Sequence, residues 1–104
     1  MSRAILFVLD SFGIGGAPDA RLFGDEGANT FGHVSDHMQL ELPHMGSLGL
    51  GLAAQASAGL NPLPMMPLLG RWGYATEISR GKDTITGHWE ITGVPVTFDW
   101  GYFP

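Results

Sequence analysis

The sequence has 104 residues, including 16 Gly and 7 Pro, so it can form one small, loop-rich domain at most. Its formal net charge of −5, without any basic run, excludes the electrostatic footprint of a nucleic-acid-binding protein. There is no Cys for disulfides or thiolate metal sites, and no apolar run has the length of a membrane span or the flanks of a signal peptide. We therefore expect a cytoplasmic protein that contacts no membrane.

The first predicted element is a β-strand over residues 4–9, a continuous apolar run that stops at Asp10 and is followed by glycines at 13, 15 and 16. Strands buried on both faces have this composition, and they belong to α/β sheets covered by helices. Ligands of such sheets bind beyond the carboxyl ends of the strands. Asp10 would lie at that edge.

Short helices and a loop follow in the central part of the chain. Asn29 or Thr30 is expected to cap a helix that carries Phe31, Val34 and Met38 on one face. Pro43 is expected to open a second short helix, because proline is tolerated in a first helical turn. Residues 53–67, with their prolines, are predicted to be a surface loop.

The last third contains a second predicted strand, residues 72–78, and a helix over residues 84–91 that begins near Asp83 or Thr84. Residues 95–103 are predicted to be extended. Two strands and a few short helices are too few to cover both faces of a strand such as residues 4–9. We therefore expect the amino-terminal part of a larger α/β protein, incomplete by itself.

Asp10 is the first candidate functional residue. A carboxylate on rigid backbone at a ligand-binding edge suits Mg²⁺ or Mn²⁺. The alternative is that Asp10 only caps the following turn. The glycines after it match neither the dinucleotide fingerprint nor the phosphate-binding P-loop, and a tight turn beside a ligand is the better interpretation.

Residues 81–90 contain a cation, two threonines, a histidine and two acids. A helix that begins at Asp83 or Thr84 would favour an anion at its amino terminus. A threonine hydroxyl there could carry a phosphoryl group if a metal or a base lowers the cost of the alkoxide. The structural alternative makes Thr84 and Thr86 helix caps, Lys82 a solvated charge and His88 a packed side chain.

Two long blocks resemble one known family. Residues 1–15, MSRAILFVLDSFGIG, and residues 81–102, GKDTITGHWEITGVPVTFDWGY, closely resemble the start of the phosphopentomutases. The segments between them resemble that family too, so the likeness covers nearly the whole chain. The sequence departs from many relatives at Ile85-Thr86, where Pro-Ser is common, and it is shorter between Gln39 and Pro43.

The resemblance implies an alkaline-phosphatase-like α/β core with an inserted cap domain, in which residues 1–104 would be the amino-terminal segment of the metal-binding core. It implies an isomerase that interconverts ribose 1-phosphate and ribose 5-phosphate, or the 2-deoxy sugars, with two Mn²⁺ ions and a phosphorylated threonine. By position, Asp10 would be a metal ligand. Thr84 would be the phosphorylated catalytic residue, and it would also contact the metals. The family's other ligands are Asp and His residues of its later portion.

Because Asp10 and Thr84 alone supply too few ligands, we expect the isolated chain to be inactive. Two alternatives stay open. One is another metal-dependent phosphomutase or phosphatase of the same superfamily. The other is a non-catalytic fragment that self-associates, since an unpaired apolar strand invites pairing with another chain.

Overall fold

The computed structural model describes residues 1–99 and 101, and within them the regular structure is entirely helical. A short 3-10 helix spans Ala20–Phe23. Four α-helices follow, which are α1 (Thr30–His37), α2 (Pro43–Leu48), α3 (Leu50–Ala58) and α4 (Thr84–Ile91). The predicted extension of residues 95–103 falls partly outside the described residues, and its described part, residues 95–99 and 101, contains no helix.

Helix α1 begins as predicted, because the side chain of Asn29 accepts a hydrogen bond of 3.1 Å from the N–H of Gly32. Phe31 is fully buried, and its N–H donates to the carbonyl of Gly13 at 3.0 Å, which attaches α1 to the glycine-containing turn. Met38 lies beyond the helix in extended backbone and is 58% exposed. The predicted apolar face is therefore buried chiefly through Phe31.

Helix α2 begins at Pro43, as predicted. Gly49, at φ +108°, ends α2 and precedes α3. The prediction of a loop over residues 53–67 is wrong for its first part, since α3 continues to Ala58. The run Ala53-Ala54-Gln55-Ala56 consists of strong helix formers, and Ala53 and Ala54 are buried.

The hydrophobic core is small. Phe31, Ala54 and Leu63 are its buried members, and the partly buried side chains packed against them are Phe12, Ile14, Leu40, Leu42 and Leu50. The rings of Phe12 and Phe31 lie 5.4 Å apart between centroids. This core joins the turn after residue 10 to α1 and α3, and so gives that turn a fixed support.

The predicted strands 4–9 and 72–78 are wrong for this structure, because no described residue is in a β-strand. Ile5, Leu6 and Phe7 are 73%, 72% and 82% exposed. A strand needs a neighbour for its backbone N–H and carbonyl groups, and the described part of the chain supplies none to this segment. The described fold is therefore helical, and the α/β core stays a proposal.

Every helix within residues 1–99 and 101 falls short of the length and apolar character that a bilayer-spanning helix needs.

Candidate functional site

Asp10 and Thr84 line one open cleft of about 430 Å³, here called the Thr84 cleft. One wall is formed by residues 8–13, and the other by the first two turns of α4 with Glu77 and Lys82. Both Asp10 and Thr84 are exposed. The tertiary structure thus places these two predicted site residues on the same cleft, although they are far apart in sequence.

The start of α4 is built around Asp83. Its Oδ2 accepts a hydrogen bond of 3.1 Å from the N–H of Thr86, and its Oδ1 accepts one of 2.5 Å from the hydroxyl of Thr86. The cap is therefore Asp83, and the alternative that Thr84 and Thr86 are the caps is wrong. Thr86 is fully buried, whereas Thr84 is the first residue of the helix and is exposed to the cleft.

Asp10 belongs to a tight turn. The N–H of Phe12 donates to the carbonyl of Leu9 at 3.4 Å, and Ser11 inside this turn has φ +60°. A residue other than glycine rarely takes this left-handed conformation, and it costs free energy. The turn places Asp10 in the lining of the Thr84 cleft, two residues before Phe12, whose ring packs on Phe31.

Lys82 is a charged residue of the site with several close partners. Its Nζ lies 3.0 Å from Oδ1 of Asp19 and 3.2 Å from Oε1 of Glu77, and 5.0 Å from the centre of the Phe23 ring. Its side chain is only 18% exposed, so the interpretation as a solvated charge is wrong. Burial alone lowers the pKa of Lys82, but its hydrogen bonds and charge interactions with Glu77 and Asp19 outweigh burial, and the pKa is raised.

Sequence reasoning missed Asp19 and Glu77. Asp19 precedes the 3-10 helix without capping it through its side chain, which instead binds Lys82, 63 positions later. Glu77 lies in a segment with strand-like composition. Neither residue stands at a spacing that marks a motif, so no local signal could have found the pair.

Glu90 anchors the other end of α4. Its Oε1 accepts from the N–H of Ile78 at 2.6 Å, and its Oε2 accepts from the N–H of Ser79 at 3.0 Å. Burial raises the pKa of Glu90, but a hydrogen bond with the Ser79 side chain, the two backbone hydrogen bonds and the charge of Lys82 together outweigh burial and lower the pKa. Ser79 in turn accepts a hydrogen bond of 2.9 Å from the N–H of Val96. Helix α4 is therefore tied to the segment before it and to the segment after it.

The charges along the cleft are unbalanced. Three carboxylates line it, from Asp10, Glu77 and Asp83, against the single ammonium of Lys82. His88 also lines the cleft, and its Nδ1 donates to the carbonyl of Thr84 at 2.7 Å, because a carbonyl oxygen can only accept. A phosphoryl group in this cleft would need an additional cation for charge balance. Within residues 1–99 and 101, no group of three or more His, Cys, Asp or Glu residues is arranged to hold a metal ion.

The sequence is similar to one group of known proteins. No protein-family model and no solved structure matches it. The whole chain is 54% identical to a phosphopentomutase of Methylobacterium nodulans, 58% identical to that of Actinobacillus succinogenes and 56% identical to that of a Chelativorans species. The chain resembles one segment of the phosphopentomutases. The predicted resemblance is thereby confirmed.

The similarity covers only part of the length of each relative. The chain spans 30%, 27% and 29% of the length of these three phosphopentomutases. The alignment with the Methylobacterium protein runs over 120 positions, more than the 104 residues of this chain, so it contains gaps in this chain. The similarity therefore concerns one segment of proteins that are more than three times as long as this chain.

Proposed function

We propose that this chain contributes the phosphoryl-accepting threonine to a phosphopentomutase, which interconverts ribose 1-phosphate and ribose 5-phosphate or the 2-deoxy sugars. The observation that carries the proposal is the placement of Thr84 and Asp10 on one cleft, in a chain 50–58% identical to phosphopentomutases over its whole length. The proposed catalytic residue is Thr84. Asp10 and Thr84 are the proposed metal ligands.

Thr84 has the position that this role requires. It is exposed at the first position of α4, where the N–H groups of Thr84 and Ile85 have no acceptor within the helix. These N–H groups and the helix dipole favour a negative charge on or beside the Thr84 oxygen. In the proposed reaction, the bond from phosphorus to Thr84 Oγ1 breaks as a bond to a sugar oxygen forms, and the proton of the sugar hydroxyl balances the charge left on Thr84.

The donor chemistry of the cleft fits the proposed metal ions. The Asp10 carboxylate and the Thr84 hydroxyl are hard oxygen donors of the kind that Mg²⁺ and Mn²⁺ prefer, and both are exposed to the cleft. Two Mn²⁺ ions, when bound, would supply the positive charge that the cleft lacks and would stabilise the threonine oxygen. The negative charge of the three carboxylates that line the cleft is the physical reason why a bound phosphoryl group would require metal ions.

We expect the isolated chain to be inactive. Asp10 and Thr84 provide two donors, whereas Mg²⁺-like ions take about six ligands. We propose that the remaining ligands come from the rest of a full-length enzyme, in which residues 4–9 would pair as a strand of the α/β core. Their exposed apolar side chains also support the proposal that the 104-residue chain self-associates. The cytoplasmic location stays a prediction.

The test uses a full-length phosphopentomutase that carries this 104-residue sequence. With Mn²⁺ present, we expect it to convert ribose 1-phosphate to ribose 5-phosphate and to lose this activity upon Thr84→Val. Thr92→Val is the matched control, because it removes a threonine hydroxyl at the opposite end of α4. Unchanged activity of Thr84→Val would overturn the proposal.

Two further measurements separate the alternatives. Phosphopeptide mass spectrometry is expected to place the phosphate on Thr84, and a phosphate on Thr86 would contradict the assignment. Phosphoglycerate is the competing substrate. Turnover of phosphoglycerate without turnover of ribose 1-phosphate would identify another phosphomutase of the same superfamily.

A further inference from the structure

Lys82 connects three segments of the chain at the edge of the Thr84 cleft. Its ammonium group binds Asp19, next to the 3-10 helix, and Glu77, in the segment before α4. The Phe23 ring lies against the same group, with its centroid 5.0 Å from Nζ. Lys82 is the sole lysine of the sequence, so no other ammonium side chain of the chain can replace it here.

Lys82 and Glu77 also form a shared wall between two cavities. Together with Phe12 and Gly13, they line both the Thr84 cleft and a neighbouring cleft of about 580 Å³. The ion pairs therefore set the position of the wall from which α4 begins. Thr84 lies only two residues after Lys82.

The contacts distinguish a positioning role from phosphate binding. The carboxylates of Asp19 and Glu77 already bind the ammonium group, and the Lys82 side chain is 18% exposed. A lysine that binds a phosphate directly would present its ammonium to the cleft without competing carboxylates. Such a pairing instead orders the backbone between its partners, because two hydrogen bonds and an aromatic ring restrict the lysine side chain.

We propose that Lys82, held by Asp19 and Glu77, is a positioning residue that fixes Thr84 for phosphoryl transfer. This inference rests on the proposed function. Helix α4 keeps its second anchor at Glu90 when Lys82 is changed, so the helix can persist while its amino terminus loses alignment. The predicted defect is therefore in turnover, and substrate affinity should change little.

The test compares Lys82→Met with Lys82→Arg in the full-length enzyme that carries this sequence, with ribose 1-phosphate and Mn²⁺. We expect Lys82→Met to lower kcat about 10- to 100-fold, since a misplacement of about 1 Å has effects of this size. KM should stay within about two-fold. Lys82→Arg keeps the charge and should recover most of kcat. Arg21→Met, a cation whose side chain is 86% exposed, is the control and should leave kcat unchanged.

A double-mutant cycle tests the partner. Asp19→Asn removes one partner of Lys82 and leaves its ion pair with Glu77 in place. We expect this variant to lose less kcat than Lys82→Met. It also tests the proposal if Lys82→Met fails to fold. The combination of Asp19→Asn with Lys82→Met should lower kcat no further than Lys82→Met alone. Circular dichroism reports the folded fraction to which each kcat is normalised.

The outcomes separate this inference from the proposed function. A wild-type enzyme without ribose 1-phosphate isomerisation would refute the proposed function. An active wild type with normal kcat in Lys82→Met, or with additive losses in the cycle, would overturn the positioning role alone. A raised KM with unchanged kcat would also overturn it, by assigning Lys82 to substrate binding.

Discussion

The hydroxyl of Thr86 donates a hydrogen bond of 2.5 Å to the carboxylate of Asp83, three residues before it. The same carboxylate accepts the N–H of Thr86 at 3.1 Å. Asp83 thereby closes the first turn of α4 and occupies the hydroxyl of Thr86. Of the two threonines in this turn, Thr84 is the one whose side chain is exposed beside the cleft.

The Asp83 cap should contribute measurably to the stability of the chain. We expect Asp83→Ala to lower the free energy of unfolding by about 1–2 kcal/mol, because an N-terminal cap and its partner Thr86 lose their hydrogen bonds. Urea denaturation followed by circular dichroism measures the change. Asp83→Asn, which keeps a capping oxygen, should lose less, and equal losses in the two variants would argue against the cap.

The Glu90 anchor predicts a pH dependence. The pKa of Glu90 in the folded chain lies below its ordinary value of 4.5, so the folded state prefers the ionised carboxylate. Its stabilising contribution is complete above pH 4.5 and is lost as the pH falls through the lower, folded-state pKa. Wild type should therefore be more stable than Glu90→Gln at neutral pH, and the difference should shrink in acid.

Thermal unfolding of both Glu90 proteins between neutral and acidic pH measures this difference. Glu41→Gln is a suitable control, because Glu41 belongs to the segment between α1 and α2 and is remote from α4 in sequence. A constant difference between wild type and Glu90→Gln at all pH values would contradict the role of the charge.

Gly49 joins α2 to α3 in a conformation that excludes a side chain. Its φ is +108°, and a Cβ there would lie 2.5 Å from the Cβ of Trp72. We expect Gly49→Ala to lower the free energy of unfolding by about 2–4 kcal/mol through backbone strain and steric overlap. Gly73→Ala is the control, since nothing lies within 4 Å of its added Cβ. Similar denaturation midpoints for the two variants would contradict this account.

Ser11 is the opposite case, in which a side chain adopts a backbone conformation suited to glycine. The φ of Ser11 is +60°, so Ser11→Gly should raise the free energy of unfolding by about 0.5–1 kcal/mol. We expect this gain because relief of the backbone strain stabilises the folded state more than the flexibility of glycine stabilises the unfolded state. Ser11→Ala keeps the strain and should give no gain. Chemical denaturation distinguishes them, and a loss of stability in Ser11→Gly would show that the serine side chain has a structural role.

Local interactions made much of the helical structure predictable from sequence. Asn29, Pro43 and Asp83 act within three or four residues of their own positions, so their residue types alone indicated where α1, α2 and α4 begin. Helix α3 was missed because the prolines that follow it extended the predicted loop back to Ala53. Its alanines nevertheless carry the helical preference that the structure shows.

The candidate site was also predictable from sequence only in part. The two sequence blocks singled out Asp10 and Thr84 individually and indicated the family. The resemblance implied one metal site for both residues. The tertiary structure showed that both line one cleft, and it separated exposed Thr84 from buried Thr86.

Interactions between distant parts of the chain required the tertiary structure. The apolar run 4–9 has the composition of a strand, but a strand forms only with a partner, and the described residues contain none for it. The sequence by itself therefore determined where α1, α2 and α4 begin and the resemblance to the phosphopentomutases, which depend on neighbouring residues and on long matched blocks. The tertiary structure decided that Lys82 binds Asp19, because a contact across 63 positions depends on how the chain folds back on itself.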